Sequence, residues 1–381
     1  MTDSVVTCPH CHLALTYVEG ANNCSGCNAS FAYNNGIFDF LPEDDFYWGE
    51  ISQQKMNQIN EKVMKEDWYS VVRRLLPDKL GYIVDPVRMG WLFHCYDPDS
   101  SQVCLDIGSG WGSLTFGLHH LYDTVYSQDG VFERLQFQAL RAESEGVDNI
   151  RFIRSNFQKL PLPNKSVDLV VLNGVLEWVA IREPQLNPGE MQIAFLKEIK
   201  RVLKPEGLVY LGIENRFGVQ YFLGAKDHSG YPFTSLVPRS IANLMLGLFE
   251  KIRSNKNSQK HVHSGVNSSY RTYTYTKWGY QKMLRRAGLS KMSILWAWPG
   301  YSYPRMSGTL DGQSIRFVLD NLGNRYNHRL IRFFINFLLL FPDWILSLLI
   351  NLLSPNFLIF AGSESNHIVP FGRIENDVSN D

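Results

Sequence analysis

Val103-Cys-Leu-Asp-Ile-Gly-Ser-Gly-Trp-Gly112 decides how this chain is read. An apolar run ends in Asp106, glycines follow at 108, 110 and 112, and an apolar, helix-compatible run begins at Leu114. This succession predicts a buried strand, a tight loop without β-carbons, and a helix N-terminus. Such a loop lets a ligand's polar atoms come close to backbone N–H groups. The G-x-G-x-G spacing departs from the dinucleotide fingerprint G-x-G-x-x-G, and on its own it also fits a structural turn.

Downstream, the chain alternates strand and helix. Thr124–Gln128 predicts a second strand, closed by Asp129-Gly130. An acid at that tip of a doubly wound fold can bind a ribose diol. A helix over Phe132–Glu145 and a third strand, Ile150–Arg154, follow, then Asn156-Phe157 and Leu160-Pro-Leu-Pro163. Val167–Leu172 is continuously apolar, as suits a parallel strand covered on both faces. It runs into Asn173-Gly-Val-Leu-Glu177-Trp178. A helix over Phe195–Leu203 leads through Lys204-Pro-Glu-Gly207 to a fifth strand, Leu208–Ile213. The fold class expected is α/β, with a doubly wound, Rossmann-like sheet.

The ordered set "VCLDIGSGWG", "YSQDG", "SNFQKLPLPNKSVDLVV" and "LKEIKRVLKPEGLVYLGIEN", over roughly residues 101–215, resembles the class I S-adenosylmethionine (SAM)-dependent methyltransferases. The resemblance implies a seven-stranded sheet with one antiparallel strand, and the cofactor across the tips of the first strands. It implies that Asp106 and Gly108, Ser109, Gly110 and Gly112 line the methionine portion of SAM. Asp129, beside Gly130, would bind the ribose hydroxyls, and Asn156 would face the adenine amino group. An Asp often stands at that last position in the family, but an Asn oxygen can accept the same bond. Asn173 completes the expected cofactor set. The sulfonium of SAM can be stabilised by aromatic faces. Trp111, Phe157 and Trp178 are candidates for this, and each also reads as a core aromatic.

Cys8-Pro-His-Cys11 and Cys24-Ser-Gly-Cys27 form two C-x-x-C pairs twelve residues apart. This is close to zinc-ribbon spacing, with Leu13–Asn23 as a hairpin between the knuckles. The competing readings are two disulfides or four free thiols. Four cysteines fill a tetrahedron, which leaves His10 and His12 to solvent. Cys95 and Cys104 read as small buried residues. The pattern "CPHC…L…CSGCNASFAYNNGIFDFLP", about Thr7 to Pro42, resembles the ribbon of the Trm112-like family, found also at the N-termini of several methyltransferases. So short a module has few apolar residues, and metal would supply its folding energy.

Composition narrows the class. The chain has 381 residues, with 37 Lys plus Arg against 37 Asp plus Glu. A dedicated nucleic-acid binder carries a basic surplus or stripe. The local stretch Lys251–Lys260 is basic, and it reads as a solvated loop. The first residues lack a signal-peptide pattern, so a cytoplasmic location is expected.

The expected organisation is a zinc ribbon over 1–42, a helical cap or linker over 43–100 and the SAM-binding core over 101–215. A substrate-side insertion over 216–275, a core continuation over 276–299, an apolar helical insertion or lid over 300–356, and a last strand and tail over 357–381 complete it. The linker opens on Glu43-Asp44-Asp45. Leu330–Leu353, "LIRFFINFLLLFPDWILSLLINLL", is long enough to cross a bilayer. Asp343 near its middle would be costly there, and Phe341-Pro342 breaks it into two amphipathic helices. These can lie on a membrane surface, making peripheral contact through 326–355, cover an apolar substrate, or pack on the core.

Ligands of open α/β sheets bind beyond the carboxyl ends of the strands, so the insertion after the fifth strand should face the acceptor. His228, on the loop "DHSGYPF", can take a proton from a hydroxyl as a methyl group arrives. Glu177 and Glu214, at strand tips, are alternative bases. A loop histidine bonded to backbone, and glutamates that cap helices or form salt bridges, are the structural alternatives. "IENRFG…DHSGYPF" and "YTYTKWGYQKMLRRAGL" resemble methyltransferases of bacterial polysaccharide and glycolipid biosynthesis. The acceptor expected is therefore a small molecule or a glycan, lipid-linked or free, methylated on oxygen. Methylation of an RNA base is the alternative, and a non-catalytic zinc-ribbon adaptor is a third reading from another class.

Overall fold

A computed structural model describes residues 6–18, 20–42, 50–94, 102–181, 183–254, 269–325 and 329–363. Glu43-Asp44-Asp45, Cys95, most of Lys251–Lys260 and the tail beyond 363 lie outside the described residues.

The cysteine-rich segment supplies β1 (Thr16–Val18), β2 (Ala21–Asn23), β3 (Ser30–Asn34) and β4 (Ile37–Asp39). Helices α1 (Gln53–Val63), α2 (Trp68–Leu75) and α3 (Pro77–Val84) and a 3-10 stretch, Pro86–His94, follow. The core then alternates β5 (Val103–Ile107), α4 (Thr115–Leu118), β6 (Thr124–Asp129), α5 (Phe132–Glu145), β7 (Ile150–Arg154), β8 (Val167–Asn173), α6 (Pro188–Val202) and β9 (Leu203–Glu214). Next come α7 (Val219–Phe222), α8 (Arg239–Ser254), α9 (Lys277–Ala287), β10 (Lys291–Gly300) and β11 (Tyr303–Thr309). The chain closes with α10 (Gly312–Arg325), α11 (Arg329–Leu339), α12 (Asp343–Leu353) and β12 (Asn356–Gly362).

One sheet runs through the molecule in the order β1-β2-β3-β4-β7-β6-β5-β8-β9-β12-β10-β11. Its centre, β7 to β10, is the expected seven-stranded arrangement: β12 lies antiparallel between β9 and β10, and the neighbours from β7 to β9 are parallel. The strand count departs from seven because both edges are extended. β4 pairs in parallel with β7, Ile37 opposite Phe152 and Asp39 opposite Arg154. β11 folds back on β10 as a hairpin. Edge strands carry unpaired N–H and C=O groups, and here the cysteine-rich segment covers one edge. Arg154 Nη1 lies 3.0 Å from Asp39 Oδ2 in a largely buried ion pair, and Phe38 joins the main core.

Local signals explain most element boundaries. α5 ends at Gly146 and α9 at Gly288, both left-handed, as helix C-caps favour. Thr276 caps α9 by accepting the N–H of Gly279. The helix expected from Phe195 begins instead at Pro188. Asn187 caps it by accepting the N–H groups of Gly189 and Glu190. Pro-Gly there resembles a loop, but proline is well tolerated in a helix's first turn.

The 50–94 segment lies along α5 and the glycine loop. Asn60 Nδ2 donates to Glu133 O at 2.9 Å, and Trp68 packs with Phe137 and Trp111. The apolar stretch near the C-terminus forms two helices, α11 and α12, broken at Phe341-Pro342 as expected. No helix among the described residues is long and apolar enough to cross a membrane. Asp343 is matched by Arg316, which donates to it at 2.7 Å and also to the carbonyls of Leu339 (2.9 Å) and Phe341 (2.6 Å). That guanidinium pins the break and binds α10 to both helices.

Candidate functional site

The loop after β5 has left-handed backbone at Gly108 (φ 66°), Gly110 (φ 58°) and Gly112 (φ 76°). Its close approaches differ. A β-carbon on Gly108 would stand 2.7 Å from Val175 Cγ2, whereas around Gly110 the nearest atom would be 3.9 Å away. The loop of β5 therefore touches the tip of β8 at Gly108.

Asp129 ends β6 and holds this loop. Its Oδ2 accepts the N–H of Gly110 at 2.9 Å, and its Oδ1 that of Val131 at 2.8 Å. Beneath the loop, Ser127 donates to Ser109 Oγ at 2.8 Å, and Gln138 donates to both Ser109 Oγ and Gly110 O. Asp106 is buried and accepts from Thr115 Oγ1 at 2.6 Å. Burial pushes its carboxyl up to about 7, against the pull of Thr115 and Arg88. The carbonyl of Gly130 accepts from Arg154 Nε at 3.3 Å.

Other expected cofactor residues have local partners. Asn156 Oδ1 accepts the N–H groups of Gln158 (3.0 Å) and Lys159 (3.3 Å), so an adenine amino group would share that oxygen. Phe157 lies against Phe195, 5.4 Å between ring centroids, and Trp111 sits in the core against Phe137. Asn173 Oδ1 accepts from the Tyr210 hydroxyl at 3.3 Å.

The three residues nominated separately as bases meet. Glu177 lies on the short 3-10 turn Leu176–Trp178 after β8, Glu214 at the end of β9, and His228 on the loop beyond α7. His228 Nε2 is 3.4 Å from Glu177 Oε1 and 3.2 Å from Glu214 Oε2. Burial alone would lower the imidazole's pKa, but the two carboxylates overcome it and push it up to about 11. Burial raises the Glu177 carboxyl, whereas His228 and Tyr301 hold Glu214 low despite its burial. Trp178 meets the imidazole edge-on at 4.7 Å. Asp227, next in sequence, does not join the group. It anchors the loop, accepting the N–H of Ser229 and the hydroxyl of Tyr270.

Two residues at this edge were not foreseen. Tyr301, in the β10–β11 turn, donates to Glu214 Oε1 at 3.1 Å and fills the space left by Gly174. Arg88 is buried with its guanidinium 3.8 Å over the ring of Tyr82, and it donates to Ser302 O. Neither has a motif around it that marks a site, and their positions follow only from tertiary packing.

Residues 105–211 match the protein family described as "Methyltransferase domain". The malonyl-[acyl-carrier protein] O-methyltransferase of Halorhodospira halophila is 27% identical over 143 residues, 38% of this chain and 42% of that protein. The chain thus spans less than half the length of this curated relative. Among solved structures, a SAM-dependent methyltransferase from Aquifex aeolicus aligns at 22% identity over 48% of this chain and 87% of the other, with a TM-score of 0.32. Phosphoethanolamine N-methyltransferase 2 of Haemonchus contortus aligns at 12% identity over 72% and 51%, with a TM-score of 0.38. The segment that carries the glycine loop is thus similar to methyltransferase domains.

Two glycines with similar backbone separate conformational strain from crowding. A β-carbon on Gly146 (φ 68°) would meet nothing within 4 Å, unlike one on Gly108. Gly146→Ala should cost about 1 kcal/mol, the left-handed penalty alone. Gly108→Ala should cost roughly 2–4 kcal/mol, because displacement of Val175 adds to it. Urea unfolding of both variants checks the difference, and equal losses would refute the close approach.

Proposed function

We propose that this chain transfers the methyl group of SAM to a hydroxyl of a small molecule, a sugar or a lipid-linked glycan. The observation that carries the reading is the contact of Gly108 with Val175. Through it the glycine loop and the Glu177–Glu214–His228 group share one carboxyl edge of the sheet.

In this reading Asp129 takes the ribose diol, because a carboxylate with two N–H bonds keeps acceptor capacity. Ser109, Gly110 and Gly112 line the methionine portion. Asp106 attracts the ammonium there, and Arg88 offers the nearby positive charge for the carboxylate. The acceptor hydroxyl lies toward Glu177, Glu214 and His228. Its oxygen attacks the methyl carbon as the carbon–sulfur bond breaks. The sulfonium becomes a neutral thioether, and the hydroxyl proton passes to the buried carboxylates. Alignment supplies much of the rate, because SAM already carries an activated group.

The four cysteines fit a structural zinc. Cys8 Sγ is 3.5 Å from Cys27 Sγ, and Cys11 Sγ is 3.3 Å from Cys24 Sγ. These separations far exceed a disulfide bond of about 2.05 Å. They approach the ~3.8 Å edge of a tetrahedron with Zn–S bonds of about 2.3 Å. The knuckle turns close through His12 N–H to Cys8 O and Asn28 N–H to Cys24 O, with left-handed backbone at both His12 and Asn28. No coordination position is left open, so the metal would hold the ribbon and take no part in transfer.

A lipid-linked acceptor fits the surface of α11 and α12. Phe333, Phe337, Leu340, Trp344 and Leu348 are all exposed, beside exposed Arg332. They recur every three or four residues, which makes one apolar stripe across the break, of the kind that lies in a membrane interface.

Asp129→Ala should weaken SAM binding at least about tenfold in isothermal titration, with the circular dichroism of the parent retained. Parent-like affinity would refute the assignment of the ribose site.

Elemental analysis of the purified chain should find one zinc, lost in Cys24→Ser together with order in the ribbon. A metal-free chain with four titratable thiols would contradict the ribbon reading.

The chain should co-sediment with phosphatidylglycerol vesicles, and Phe333→Glu with Trp344→Glu should abolish this without loss of fold. High salt should weaken the binding only in part, since burial of apolar side chains is not screened. A parent that stays in the supernatant would exclude membrane contact.

A further inference from the structure

We propose that Glu177, Glu214 and His228 form a divalent-cation site. This deepens the acceptor-side reading and rests on it for its role, but not for its existence. Its starting point is an unmet demand. The Glu177 side chain is 0% exposed, and its oxygens have no hydrogen-bond partner among the described residues besides the His228 imidazole, 3.4 Å away. Glu214 Oε2 likewise faces only that imidazole, at 3.2 Å. Two buried carboxylates thus share one imidazole, and a buried negative charge is unfavourable unless an opposite charge fully compensates it.

The geometry is that of a ligand set. One donor atom from each residue lies within 4.8 Å of the other two. The separations of 3.4 and 3.2 Å from Nε2 to the two carboxylates match neighbouring ligands around a small dication. With metal–ligand bonds of about 2.1 Å, such ligands lie roughly 3.0 Å apart in an octahedron and 3.4 Å apart in a tetrahedron. Two carboxylates and an imidazole that releases its proton to solvent as the cation enters sum to two negative charges, and this oxygen-rich set suits manganese.

The surrounding groups orient the donors. Tyr301 donates to Glu214 Oε1 and so leaves Oε2 for the cation. Trp178 meets the imidazole edge-on. Such outer contacts set ligand direction in metal sites. Three protein donors leave positions open for water or an acceptor oxygen. With the carboxylates held by the cation, a hydroxyl bound there loses its proton to solvent rather than to them, and more readily. The resulting alkoxide attacks the methyl carbon, the O–C bond forms, the S–C bond breaks, and the cation stays in place.

Manganese titration of the zinc-loaded full chain, without SAM, tests the site by electron paramagnetic resonance of free Mn²⁺. One Mn²⁺ per chain should bind beyond the ribbon zinc. Glu177→Gln and His228→Ala should each weaken it at least about tenfold. Where a variant does not fold, the parent alone decides: bound Mn²⁺ should broaden the indole N–H resonance of Trp178, identified through Trp178→Phe. An absence of stoichiometric binding, affinity unchanged in both variants, or an unbroadened Trp178 resonance would overturn the site. Any of these would leave SAM binding at Asp129 untouched, so failure here is distinct from failure of the methyl-transfer reading.

Discussion

β12 fills the slot between β9 and β10, and the placement of Glu214 depends on it. All seven of its residues are buried, and it pairs antiparallel with both neighbours. Without it two strands would present unpaired N–H and C=O groups inside the core. Its register sets Asn356 opposite Glu214 and Phe357 opposite Ile213. The chain entering β12 also crosses the tip of β9. Asn215 Nδ2 donates to Leu352 O at 2.7 Å and to Ser354 O at 2.8 Å, and its N–H donates to Pro355 O. Glu214 is thereby held by the strand before it and the strap after it. α10, α11 and α12, which lie between β11 and β12 in the chain, must then form a layer of their own, tied by Arg316.

The same edge gathers side chains that are far apart in the chain. Glu177 follows β8, Glu214 ends β9, His228 comes from the insertion and Tyr301 from the β10–β11 turn. Arg271 fastens the insertion down by donating to the carbonyls of Ala180, Glu183, Pro184 and Leu186. Arg216 does the same through Ser235 and Val237. These bonds to backbone carbonyls make the loop that bears His228 a fixed wall. A buried acidic group is energetically reasonable only in such a wall, where a proton, a cation or a bound acceptor supplies the missing charge.

What could be read from sequence follows the range of the signal. β5 to β8 and α5 announce themselves through contiguous apolar runs and glycine punctuation, and their observed limits lie within a residue of those expected. The cysteine knuckles are equally local, and their four sulfurs converge. The start of α6 is hidden because Pro188-Gly189 looks like a loop until Asn187 is seen to cap it. The pairing of β4 with β7 rests on backbone groups and on the ion pair of Asp39 with Arg154, 115 residues apart in the chain, so the extended sheet was not legible. Glu177 and Glu214 could be nominated from strand tips and His228 from its Gly- and Pro-punctuated loop, but their meeting could not. Tyr301 and Arg88 matter only through partners distant in the chain, Tyr301 with Glu214 at 3.1 Å across 87 residues and Arg88 with Ser302 across 214. Asn156 shows the reverse case, a chemically suitable residue whose oxygen a local turn already engages.

The central claim is that the glycine loop and the acidic group are two halves of one active site. A crystal structure with S-adenosylhomocysteine bound tests it most directly. The account predicts the ribose at Asp129, the methionine end over Gly108–Gly112, and the sulfur turned across Val175 toward Glu177, Glu214 and His228. A nucleoside bound elsewhere, or a sulfur turned away from that group with protein filling the space between them, would contradict it.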